Sequence, residues 1–158
     1  MAPGYVLAPA VSYAAPVPHP AVRLVDIRET PLDVLEVVDA LDDDSSGGLT
    51  LFVGRVRDHD GGKGVDGLEY SAHPSALARL QDVCDRVAGR HDVSGLAAVH
   101  RVGTLAIGDL AVVVATASAH RGTSFDASRD LIDTLKDEVP IWKHQAFGDG
   151  TEEWVGSP

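Results

Sequence analysis

The run Leu110-Ala111-Val112-Val113-Val114-Ala115-Thr116-Ala117 is continuously apolar, rich in β-branched residues and of strand length, so it reads as a buried strand. The residues after it narrow the fold further. Beyond Ser118-Ala119-His120-Arg121-Gly122 the sequence turns helical. Thr123 or Ser124 can cap the helix, and Phe125, Ser128, Leu131, Ile132, Leu135 and Val139 recur on one side until Pro140 forbids continuation. Asp126, Asp130, Asp133 and Asp137 gather on the other side, and Lys136 falls at the margin of the apolar stripe beside Ile132. At that margin its stem can pack while its amine reaches a neighbouring pocket.

Further elements surround this strand-and-helix unit. Val22 to Ile27, Val65 to His73 and Ser94 to Val102 read as strands, and Ser75 to Arg90 as a helix. Thr30-Pro31 is expected to open a helix reaching Leu41, with a capping residue and a first-turn proline. Gly148-Asp149-Gly150 separates Ile141 to Phe147 from Glu152 to Val155 and signals a hairpin. Leu49 to His59 reads as a strand whose period of two sends Arg55 and Arg57 to one face, with Gly54 permitting close approach of another backbone or a ligand. Strands and helices mixed with hairpins, without strict alternation, give an α+β class.

Positive charge is supplied by ten arginines and only three lysines, Lys63, Lys136 and Lys143, two of which fall in the stretch Leu135 to Lys143. A lysine retained in an arginine-rich chain suggests a need for a flexible amine whose pKa can move. Solvated surface lysines are the plain alternative. His120-Arg121 sits between a buried strand and a helix N-terminus, where free N–H groups, the helix dipole and a guanidinium fork can hold an anion. For Arg55 and Arg57, taken alone, the plain reading is an exposed strand end.

Composition removes several function classes. A net charge of −11 argues against nucleic acid, since such partners require basic surface. No apolar run approaches membrane-spanning length and no signal-like leader is evident, so the expected compartment is the cytoplasm. Cys84 is the single cysteine and lies in a helical apolar pattern, which makes it a buried structural thiol. The seven histidines show no paired ligand spacing, and no metal is expected. Asp42-Asp43-Asp44-Ser45-Ser46-Gly47-Gly48 reads as a solvated loop. Residues 1 to 20 hold five of the nine prolines without a periodic face and read as a flexible tail ahead of one domain, residues 21 to 158.

Taken in order and with their spacing, Phe52-Val53-Gly54-Arg55-Val56-Arg57-Asp58-His59, Val99-His100-Arg101-Val102-Gly103, Ser118-Ala119-His120-Arg121, Leu135-Lys136, Pro140-Ile141-Trp142-Lys143 and Glu153-Trp154-Val155-Gly156 resemble the large, catalytic subunit of molybdopterin synthase, from about Val22 to Gly156. That resemblance implies an α/β hammerhead type of fold with a mixed, mostly antiparallel sheet. It implies a sulfurtransferase that converts cyclic pyranopterin monophosphate into molybdopterin by inserting the two dithiolene sulfurs. Sulfur would come from the C-terminal thiocarboxylate of a small ubiquitin-like subunit ending in Gly-Gly, so no resident cofactor is expected. Large subunits would pair as a homodimer inside a two-plus-two heterotetramer. Arg55, Arg57, His120, Arg121, Lys136, Lys143 and Gln145 would line the substrate pocket, with Lys136 and Lys143 catalytic. Lys136 is expected to act electrostatically and Lys143 to position the tail and move a proton. Gln145 departs from the family, which commonly has glutamate there. The amide keeps shape and hydrogen bonding but loses charge. A non-catalytic homologue that binds the phosphate, the pterin and the partner is the alternative.

Overall fold

The computed structural model describes residues 16–156. Two sheets carry the fold. The first has the order β1-β5-β7-β2, from β1 (Val22–Arg28), β2 (Gly48–Arg55), β5 (Gly95–Arg101) and β7 (Leu110–Ser118), with β1 and β5 parallel and the rest antiparallel. The second has the order β3-β4-β8-β9, from β3 (His59–Asp60), β4 (Lys63–Ala72), β8 (Ile141–Phe147) and β9 (Glu152–Gly156), with β6 (Gly103–Leu105) added against β4. Three helices complete it, α1 (Val34–Ala40), α2 (Ala76–Arg90) and α3 (Arg121–Glu138). The mixed α+β class is as expected.

Strand β7 explains why its sequence has no polar face. Val112 and Val114 pack with α2 and α3 residues such as Leu80, Val83, Leu131 and Leu135, whereas Val113, Ala115 and Ala117 pack with Val37 and Leu41 of the α1 side. Both faces are covered, so every alternate residue has a core to enter. Strand β5 divides the same way, with Leu96 and Ala98 in one core and Ala97 and Val99 in the other. A third, smaller core of Val56, Leu68, Leu105 and Ala111 joins the two sheets. Gly103, at a φ of 89°, turns the chain from β5 into β6 and so from one sheet to the other.

Several element boundaries differ from expectation. Helix α1 starts three residues later than Pro31, because Asp33 Oδ1 accepts from Leu35 N at 2.9 Å and caps it there. Helix α3 starts at Arg121 with His120 at the cap position, and neither Thr123 nor Ser124 caps it. Ser124 is instead buried and donates to Thr116 O at 2.9 Å, while Thr116 Oγ1 donates to Ser124 O at 2.8 Å. This exchange fastens the helix to β7. Phe125 is 59 % exposed and lies off the buried face of Ser124, Ala127, Ser128, Leu131 and Leu135. Of the expected tail, residues 1 to 15 lie outside the described residues. In the remainder, His19 N donates to Asp85 Oδ1 on α2 at 2.8 Å.

Candidate active site

Strand β2 ends at Arg55, after a register shift at Gly54, and does not run on to His59. A Cβ at Gly54 would sit 2.6 Å from Val112 Cγ1, so the expected close approach is to a β7 side chain. Beyond the strand, Val56 is buried and bonds Asp109 O through its N–H at 3.0 Å, which leaves Arg55 and Arg57 on the outside. They flank a cavity of about 50 Å³ together with His59, Leu68 and Tyr70 of β4, and Lys143 and Gln145 of β8. The volume suits about one or two waters, so these side chains are gathered closely around it.

The register of the second sheet places the β8 residues. Lys143 lies opposite Tyr70 and Gln145 opposite Leu68, and on the other side Lys143 faces Val155 and Gln145 faces Glu153. With a period of two, Lys143 and Gln145 share one face, while His144 points away and stacks on Trp154 with ring centroids 4.4 Å apart. Pro140 breaks α3 and lets β8 begin at once, its carbonyl accepting from His73 N at 3.0 Å. Lys136, in the last turn of α3, thereby comes near Lys143. Protein around the Lys136 amine withholds water, and Lys143 adds like-charge repulsion, so its pKa falls below the ordinary lysine value. Lys136 as a whole remains exposed at the margin of the helix, so its amine is only partly withdrawn from water.

Asp60 is the residue that sequence reasoning missed. Its Oδ1 accepts from Arg57 Nη2 at 3.1 Å, and its Oδ2 accepts from Gln145 Nε2 at 2.7 Å and lies 3.6 Å from Lys143 Nζ. The Gln145 bond, then Lys143 and Arg57, hold Asp60 below the usual carboxylate range against partial burial. The only trace in the sequence is Asp60-Gly61-Gly62, whose two glycines have positive φ and turn β3 back into β4. His100 is a second omission. It is 1 % exposed, hydrogen-bonds Arg101 O through Nδ1 at 2.7 Å and meets Tyr70 edge to face at 5.0 Å. Burial, with Lys136 nearby, pushes its pKa down to about 4, so it sits neutral behind the site.

His120 and Arg121 do not join this cluster. Both are exposed at the N-terminus of α3, beside Gly47 and Gly48. A Cβ on Gly47 would meet Ala119 O at 2.4 Å, so glycine is needed for the chain to pass there. A helical rise of about 1.5 Å per residue puts Arg121 roughly 20 Å from Lys136 along α3. The length of β2, at about 3.3 Å per residue, separates Gly48 from Arg55 by roughly as much. Within one chain the expected pocket is therefore two groups of cations at opposite ends of α3 and β2.

Among the described residues no set of three or more His, Cys, Asp or Glu side chains is placed to hold a metal ion, and no helix is long and apolar enough to cross a membrane.

The family described as MoaE protein matches residues 27–138. Molybdopterin synthase catalytic subunit 1 of Mycobacterium tuberculosis is 42 % identical over 87 % of this chain and 92 % of its own length. The crystal structure of molybdopterin synthase from Staphylococcus aureus superposes with a TM-score of 0.77 at 30 % identity, covering 84 % of this chain and 96 % of that one. A complex of subunits 1 and 2 of molybdopterin-converting factor from Helicobacter pylori shares the fold, with a TM-score of 0.64 at 18 % identity over 87 % of this chain and 94 % of that chain. With its fold, the order of its motifs and its likeness to these relatives over most of their length, the chain belongs to the MoaE family of molybdopterin synthase catalytic subunits, enzymes of molybdenum cofactor biosynthesis.

Proposed function

We propose that the chain transfers sulfur from a thiocarboxylated small partner subunit to cyclic pyranopterin monophosphate, forming the dithiolene of molybdopterin. The observation that carries this reading is the convergence of Arg55, Arg57 and Lys143 on one small cavity, with Lys136 beside Lys143, in a chain of net charge −11. Such a local concentration of cations focuses attraction on a phosphate or a thiocarboxylate. A separate small subunit as sulfur donor is supported by the two-subunit composition of the Helicobacter pylori relative.

The geometry favours a division of labour opposite to the one expected from sequence. Lys136 is the amine whose proton is loosened by desolvation and by Lys143, so it is the better group for proton transfer. Lys143 is ion-paired with Asp60, the arrangement of an electrostatic contact that steadies the tail carbonyl or the leaving oxygen. The non-catalytic alternative prompted by Gln145 loses ground, because Asp60 brings a carboxylate to the Gln145 amide.

A second copy would reunite the two cation groups. Strand β2 is an edge of the first sheet, and Leu49, Leu51, Phe52 and the neighbouring Phe125 are exposed there. Antiparallel pairing of β2 with β2 of another copy, about a two-fold axis near mid-strand, brings the Gly48 end of one chain to the Arg55 end of the other. His120 and Arg121 of each copy would then face the Lys136 and Lys143 group of its mate. Mixing the purified chain with thiocarboxylated small subunit and pyranopterin precursor tests the activity: dithiolene product is expected, and binding without product would overturn it.

A further inference from the structure

We propose that Asp60 is a positioning residue of this site, a carboxylate that holds Arg57 and Lys143 in place through one oxygen each, and that Gln145 serves to aim it. The proposal rests on the sulfur-transfer reading for what the cations do, and on the geometry of the chain for what Asp60 does. Gln145 is 3 % exposed, and its Nε2 is directed at two carboxylates, Asp60 Oδ2 at 2.7 Å and Glu153 Oε2 at 3.5 Å. An amide can satisfy two carboxylates only through its N–H₂ group, so this orientation is chemically determined. The same Asp60 oxygen faces Lys143 Nζ at 3.6 Å, while the other takes Arg57 at 3.1 Å.

The position of Asp60 in the chain fits such a role. It stands on the two-residue strand β3, just before the Gly61-Gly62 turn, and its register partner is Lys63, itself tied to Asp149 at 3.2 Å and to Thr151 Oγ1 at 3.3 Å. The hairpin is thus anchored on the β8–β9 turn and presents Asp60 to the cations from across the cavity. A counter-charge offsets the mutual repulsion of two neighbouring cations, and Asp60 is a carboxylate that both Arg57 and Lys143 contact.

Carboxylate and amide form a reciprocal pair here, which makes an exchange test possible. Asp60→Asn keeps size and can still accept from Gln145. Asp60→Asn with Gln145→Glu moves the carboxylate across the pair, still beside Lys143. Two measurements separate Asp60 from the reaction as a whole. The first is the acylation rate of Lys143 by acetic anhydride, read by mass spectrometry without substrate. The second is kcat and KM with thiocarboxylated partner and precursor. Asp60→Asn is expected to raise Lys143 acylation about fivefold, the scale of one partly exposed ion pair. It should also lower kcat about tenfold through Lys143, with a smaller rise in the KM for precursor as Arg57 loses its anchor. The exchanged double variant should return both towards the parent. Unchanged acylation in Asp60→Asn, or a double variant no better than Asp60→Asn, would overturn the proposal. Failure of every form, the parent included, to make dithiolene would count against sulfur transfer, and the acylation data would still decide the role of Asp60.

Discussion

The two ends of helix α3 carry similar side chains in unlike surroundings. At the C-terminal end, Lys136 lies beside Lys143, a buried neutral His100 and the Asp60-centred ion pairs. At the N-terminal end, His120 and Arg121 are exposed, and no side-chain cap bond engages the first turn. The contrast shows that basic residues at an element boundary are not yet a site. Desolvation and a placed counter-charge set the C-terminal end apart, whereas the N-terminal pair lies exposed to water.

The largest effect should come from the amines. Lys136→Arg is expected to lose single-turnover activity as fully as Lys136→Ala, by about 10² to 10⁴-fold, because arginine keeps its proton. Lys143→Arg should retain measurable activity. Robust turnover in Lys136→Arg with none in Lys143→Arg would restore the division of roles expected from sequence.

Next, Arg57→Ala and Arg121→Ala should each weaken precursor binding by roughly 10 to 100-fold, the scale of a charge-assisted contact, with less effect on small-subunit association. Mixing Lys136→Ala with Arg121→Ala sharpens the comparison between the two ends. If the site is built across two copies, mixed dimers hold one intact site and recover about a quarter of parental activity. If both groups serve one chain's site, the mixture shows only the average of the two variants measured separately, so titration calorimetry and a mixing assay together locate Arg121.

Acid stability distinguishes the two ends at a smaller scale. An unfolded histidine titrates near 6.5 and His100 near 4, so the unfolded chain binds the extra proton between those values. Stability should therefore fall as pH drops from about 6.5 to about 4, by about 3 kcal/mol in full. Urea unfolding across that range should show this slope, and His100→Phe should flatten it while losing the hydrogen bond to Arg101.

The smallest effect belongs to Asp130, midway along α3, which bonds both nitrogens of the Arg90 fork, His91 and Thr134 and is held down to about 2, chiefly by Arg90. Its contribution is present above the ordinary carboxylate range and lost as pH falls towards 2. Asp130→Asn should cost about 1 kcal/mol at neutral pH, discounted for partial exposure, and leave turnover unchanged.

Much of the fold was legible because it follows from local rules. The unbroken apolar run of β7, the glycine-punctuated hairpin of β8 and β9, the pattern of α2 and the stop at Pro140 all state their structure within a few residues. Boundaries were less legible where two polar residues competed for one role. Asp33 rather than Thr30 caps α1, and Ser124 is spent on Thr116 inside the core. Arg57 and Lys143 were visible as candidates, yet Asp60, which binds them both, was not. An aspartate before two glycines reads as a turn residue unless its distant partners are known.

By itself the amino-acid order determined what each segment can be: which faces are apolar, where helices must end, which few amines are retained and which family motifs they belong to. Tertiary structure alone decided which charges meet. Asp60 and Gln145 are 85 residues apart, and only the pairing of β4 with both β3 and β8 closes that separation to 2.7 Å. Arg121 and Lys136, in contrast, lie in one helix and are held apart by its length. Electrostatic energy depends on distance and on access to water, and neither quantity is written in the order of residues.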